Sequence, residues 1–132
     1  MTFREKSTVA QFAAIVLVYG FVAIRYWGAP LTGVRAIEIL ISITVLMILI
    51  MVPAHIAFAI QQRPENADER DAAVNVRGTR NAYAALGFGF WCLLMMIVFK
   101  TPYGLLFGAA LAVGALAELV RLGSQLYYYR FG

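Results

Sequence analysis

A chain of 132 residues that is 62% hydrophobic and 14% charged does not read as a soluble domain. Soluble domains carry about 25% charged residues, and a fold of this size cannot hide so much apolar surface. The net charge of +4 is no nucleic-acid signal either, because the arginines bracket apolar segments instead of clustering on one soluble face; no direct nucleic-acid contact is expected.

Length predicts a single domain, 1–132, and hydropathy divides it into four spans. Arg4, Glu5 and Lys6 lie in a short polar lead. The first span is expected over about 9–27 as a retained helix, because no small-residue cleavage site leads into a polar domain. Arg25, Tyr26 and Trp27 at its end suit the headgroup layer. Residues Gly28 to Gly33 carry turn chemistry. The second span, about 36–60, is long enough to cross with tilt. Glu38 lies at its wet start, and Pro53 is expected to kink its last third by removing a backbone donor. His55, the only histidine, follows.

The one long polar segment comes next. Asp68 to Tyr83 puts three acids (Asp68, Glu69, Asp71) in a first helical turn and two arginines (Arg77, Arg80) further along, an order that complements the helix dipole. Pro64 closes the second span, and Asn66 is the expected N-cap. The helix from about Ala67 is expected to reach Phe99, a rod of about 50 Å. Only Ala82 to Phe99 is apolar enough for lipid, so the arm 67–81 stands in the cytoplasm. Gly78 is its weak point, since glycine costs roughly 1 kcal/mol against alanine in a helix. Lys100, Thr101 and Pro102 make a tight turn into the fourth span, about 103–121. The tail ends in Tyr127, Tyr128, Tyr129, Arg130 and Phe131, an aromatic belt with a cation.

Orientation follows from the basic residues. Arg4, Lys6, Arg63, Arg70, Arg77, Arg80, Arg121 and Arg130 lie on one side of the spans, and Arg25, Arg35 and Lys100 on the other. Positive-inside then puts both termini in the cytoplasm. The expected fold is an all-α integral membrane protein with four transmembrane helices, N-in/C-in, its third helix extended into the cytoplasm. The expected location is a cytoplasmic membrane, crossed several times.

Span four carries the most suggestive constellation. Gly104, Gly108 and Ala112 recur every four residues, a small-residue pattern that lets another helix approach closely. Gly114, Glu118, Arg121 and Gln125 make a stripe that grows polar toward the cytoplasm. The pattern is read as helix packing, either within one four-helix bundle or between subunits of a homo-oligomer. Glu118 falls about 22 Å into a core of about 30 Å, and His55 at a similar depth. Glu118 either pairs with Arg121 and reaches toward the interface, meets His55 or Arg80, or serves a proton or ligand site.

Enzymatic chemistry has no set of residues to carry it. No phosphate loop, nucleophile elbow or paired-histidine zinc helix is present. One histidine, and one cysteine (Cys92) in an apolar run, supply no metal or haem site within a chain and no disulfide framework. The expectation is a non-enzyme with no cofactor and no metal.

The run Asp68-Glu69-Arg70-Asp71, then Val74, Arg77-Gly78, Arg80 and Ala82-Tyr83, resembles a group of small, uncharacterised prokaryotic membrane proteins. These have four spans and an Asp-Glu-Arg-Asp connection between the second and third. Where that family usually has a larger aliphatic residue after the acidic run, this chain has Ala72 and Ala73. The resemblance implies a membrane partner of small DNA-binding regulators. The expected role is a regulatory or scaffolding protein that binds a soluble cytoplasmic protein through Asp68, Glu69, Arg70, Asp71, Arg77 and Arg80. The bland alternative for this arm is a solvated, charge-mixed helix anchored by Arg80 and Tyr83. Two other functions compete: a small oligomeric transporter or channel using Glu118, and an accessory subunit of a larger membrane complex. The transporter resembles the small multidrug exporters in its four short spans, but its first span lacks their acid.

Overall fold

The computed structural model describes residues 3–61 and 68–132. They form α1 (Phe3–Arg25), α2 (Gly33–Gln61), α3 (Glu69–Val98) and α4 (Tyr103–Phe131). All four are long and apolar enough to cross a membrane, as the hydropathy predicted.

The helices outrun the expected spans. α1 starts at Phe3 instead of near 9, and α4 continues to Phe131 instead of stopping near 121. Hydropathy marks where a helix leaves lipid, not where its hydrogen bonds end, and each polar end here has a neighbour to lie against. At the other end of α1 the helix stops at Arg25, so Trp27 sits in the turn beyond it. α2 runs unbroken through Pro53; the ring removes the donor to the Leu49 carbonyl without ending the helix.

α3 passes through Gly78 into the apolar segment as one helix. Its N-cap is Asp68, not Asn66; Pro64, Asn66 and Ala67 lie outside the described residues. The Asp71 N–H donates to Asp68 Oδ1 at 2.7 Å, and the Asp68 N–H donates back to Asp71 Oδ2 at 3.4 Å. This reciprocal box satisfies donors that the first helical turn would leave orphaned. At its far end the Lys100 N–H bonds the Ile97 carbonyl and the Thr101 N–H the Met96 carbonyl, both at 2.9 Å. That is a Schellman closure, with Lys100 in the left-handed position at φ 53° where glycine is usual.

α3 lies along α4, α4 along α1, and α1 along α2. The order across the molecule is α2–α1–α4–α3, and among the described residues α2 makes no close backbone approach to α3 or α4. Val18, Val22, Ile39 and Ile43 form one buried cluster, and Ile15, Ala115 and Leu122 another. Tyr19 and Met47 pack against both. Large apolar side chains such as Leu17, Leu49, Phe88, Trp91 and Leu105 point outward, which suits a lipid surround and no aqueous one.

Candidate functional site

One end of the molecule gathers the start of α1, the start of α3 and the last turns of α4 into a polar head. Asp71 is its hub. Its Oδ1 accepts the Tyr129 hydroxyl at 3.1 Å, and its Oδ2 lies 3.3 Å from Arg4 Nε besides closing the capping box. Three chain segments thus converge on one carboxylate whose side chain is 17% exposed. Around it, Arg70 donates to the Tyr129 carbonyl at 2.9 Å, and Arg130 Nε stands 3.6 Å from Glu5. Gln125 donates to Asn75 and Asn81 to Ser124, both at 3.0 Å. The Arg77 guanidinium sits 5.3 Å from the centre of the Tyr128 ring, within cation–π range. Burial first, and then the Asp71 carboxylate, push the Tyr129 phenol above its ordinary 10.0, while Arg4 opposes them.

Of the six residues expected to meet a partner, Arg70, Asp71 and Arg77 are therefore engaged inside the head. Asp68 caps α3 but is exposed; Glu69 and Arg80 are exposed and make no hydrogen bond or ion pair among the described residues. The arm is not a lone rod, because the helical C-terminal turns of α4 run beside it. Sequence reasoning missed Arg4, Asn75 and Tyr129 as its clamps. One signal existed: Arg4, Thr8 and Gln11 recur at helical spacing, and Thr8 is buried with its hydroxyl bonded to the Arg4 carbonyl. That pattern marks the polar lead as helix.

A second polar grouping lies one level deeper. A recess of about 420 Å³ opens between α1, α2 and α4, with Gln11, His55, Glu118 and Arg121 along it and Ile15, Met51 and Ala115 among its apolar walls. His55 and Glu118 share this recess, as their matched depth predicted, but they are not bonded. Glu118 Oε2 takes both Arg121 Nε at 2.9 Å and Nη2 at 2.8 Å. Of the alternatives for Glu118, the pairing with Arg121 is the one formed. Glu118 and His55 face the same recess without bonding, and among the described residues the α2 and α4 backbones make no close approach. His55 Nδ1 lies 2.9 Å from the Met51 carbonyl and Nε2 3.0 Å from Ser7 Oγ. A carbonyl only accepts, so Nδ1 donates to it, and in the neutral ring Nε2 then accepts from the Ser7 hydroxyl. Among the described residues no three His, Cys, Asp or Glu side chains gather as a metal would need.

The four small residues of α4 expected to pack are not where the helices approach, although Ala115 and Ala117 of the same helix are buried. Gly104, Gly108, Ala112 and Gly114 are exposed; a Cβ at Gly108 or Gly114 would meet nothing within 4 Å, and one at Gly104 only Leu31 at 3.7 Å. The close α3–α4 approach uses glycines of α3 instead. A Cβ at Gly78 would lie 2.7 Å from Gln125 Cγ and 3.0 Å from the Arg121 carbonyl oxygen, and one at Gly89 would lie 2.5 Å from Val113 Cγ1. A four-residue period names a face of α4 but not the neighbour of that face. No known protein family matches the chain, and neither the curated proteins nor the solved structures compared with it contain a match.

Proposed function

We propose that this chain is a non-enzymatic, multi-pass protein of the prokaryotic cytoplasmic membrane that holds a soluble cytoplasmic protein through its helical head. Both termini and the head face the cytoplasm, on the excess of basic residues at that end. The observation that carries the reading is the build of the head. Its clamps (Asp71, Tyr129, Arg4 and Arg70) fix three segments into one surface, while Asp68, Glu69 and Arg80 stay exposed. A preorganised surface loses less on binding than a flexible arm does. The resemblance of the Asp68–Tyr83 run points to a small DNA-binding regulator as the partner. The outward Gly104, Gly108 and Ala112 suit a second copy of this chain and hence a homo-oligomer.

The test is purification of the full chain in nanodiscs at native expression, with mass spectrometry of what accompanies it. Wild type brings a soluble protein in fixed ratio. Glu69→Lys with Arg80→Glu loses it while insertion and helix content stay unchanged, since neither residue holds the head together. Equal recovery by both proteins overturns the reading, and a large membrane complex in its place makes this chain an accessory subunit. The recess carrying Glu118 favours a second reading, a small transporter with that acid as coupling site. There Glu118→Gln abolishes uptake in vesicles, and full retention dismisses the idea.

A further inference from the structure

We propose that the recess between α1, α2 and α4 binds one phospholipid whose headgroup carries both a phosphate and a primary ammonium, the phosphatidylethanolamine type. The recess is graded. Moving away from the head, Gln11 gives way to Ile15 one turn on, His55 to Met51, and Glu118 to Ala115, all lining the same volume. Three helices turn from polar to apolar in the same direction, as an amphiphile lying along them requires. At about 420 Å³ the recess falls within the roughly 300–1,000 Å³ of ligand sites.

Its depth suits a headgroup. The α3–α4 contacts set the level: Gly78 lies against the Arg121 carbonyl and Gly89 against Val113, so Glu118 stands between them, near the level of Tyr83. Tyr83 is exposed at the point where α3 changes from polar to apolar, and exposed tyrosines favour the headgroup layer.

The charges match a zwitterion. Glu118 and Arg121 present one anion and one cation, with side chains 50% and 34% exposed. Arg121 engages only Oε2, so Oε1 accepts no hydrogen bond among the described residues. A primary ammonium donates to that oxygen, and the phosphate accepts from the remaining guanidinium N–H groups. A trimethylated ammonium has no N–H to donate, and a glycerol headgroup brings no cation to Glu118. The apolar walls select the lipid over its free headgroup.

Native mass spectrometry of the full chain, released from vesicles of equal phosphatidylethanolamine, phosphatidylcholine and phosphatidylglycerol content, tests the assignment. One phosphatidylethanolamine per protomer is expected, retained about tenfold over either competitor. Glu118→Gln removes the preference over phosphatidylcholine with the melting temperature unchanged. Met51→Trp fills the recess and lowers retention of all three lipids with the charged pair intact. Equal retention of phosphatidylethanolamine and phosphatidylcholine by wild type overturns the proposal, whatever the variants do. So does displacement of the lipid by millimolar phosphoethanolamine, which would make the site one for the free headgroup.

Discussion

Asp71 holds more of the head than any other single side chain, so its loss reaches three helices at once. Asp71→Ala removes the acceptor of Tyr129, the return bond of the capping box and the partner of Arg4. The cost should be roughly 2 kcal/mol, mostly from the two hydrogen bonds, because Arg4 is 41% exposed and such pairs are screened. Glu69→Ala, two residues away and exposed, should stay within about 0.5 kcal/mol. Unfolding in nanodiscs separates the two. Tyr129 adds a pH dependence. Its phenol is raised above 10.0 by burial and by Asp71, so the folded state holds the proton longer than the unfolded one. That stability is complete below about pH 10 and is lost as pH rises through the folded value. Tyr129→Phe should flatten this alkaline fall relative to wild type; parallel curves would show that the phenol does not contribute. The α3–α4 approach makes a third residue-scale prediction. Gly89→Ala forces a methyl group into Val113 at a cost of about 1–3 kcal/mol. Adding Val113→Ala should recover much of it, a coupling that a double-mutant cycle measures.

At the scale of the element, α3 was the most legible helix. Its acids before arginines, its apolar second half and the absence of a stop between them describe one continuous helix, and Glu69–Val98 is one. Its start was less legible, because Asn66 and Asp68 have similar capping preference and only the return bond from Asp71 distinguishes the box. The turn after it was expected at Lys100 to Pro102, but not its left-handed lysine. A non-glycine residue there costs about 1–2 kcal/mol. Lys100→Gly should therefore stabilise the α3–α4 hairpin by roughly 0.5–1 kcal/mol, less than the full relief because glycine also loosens the unfolded chain. A lower melting temperature for this variant would show that the lysine side chain does something at that turn.

For the whole molecule, the order α2–α1–α4–α3 decides which residues meet. It sets α1 between α2 and α4, turns their gap into the recess of Glu118 and His55, and among the described residues leaves α2 and α3 with one close helical neighbour each. In a Cys92→Ala background, cysteines at 89 and 113 should form a disulfide within one chain. A Cβ added at Gly89 would lie 3.2 Å from Val113 Cβ, a small adjustment from the usual separation of about 3.5–4.5 Å. A mobility shift that appears only as a cross-linked dimer would contradict the hairpin.

What the sequence by itself determined is local or periodic. Four runs of apolar residues require four long helices, the acids and arginines of 68–80 require a polar helix start, and Glu118 with Arg121 one turn on could pair without help from elsewhere. Each of these depends on residues three or four apart, or on the mean hydropathy of one segment. The tertiary structure alone decided what meets across the chain: Arg4 and Tyr129 on Asp71, Ser7 on His55, and glycines of α3 rather than α4 at the close approach. Apolar helices in lipid gain little from choosing one apolar neighbour over another. Their order is set instead by where small residues let backbones come together and where a few polar side chains find partners, and the three pairings just named join residues 48 (Ser7–His55), 58 (Asp71–Tyr129) and 71 − 4 = 67 (Arg4–Asp71) positions apart.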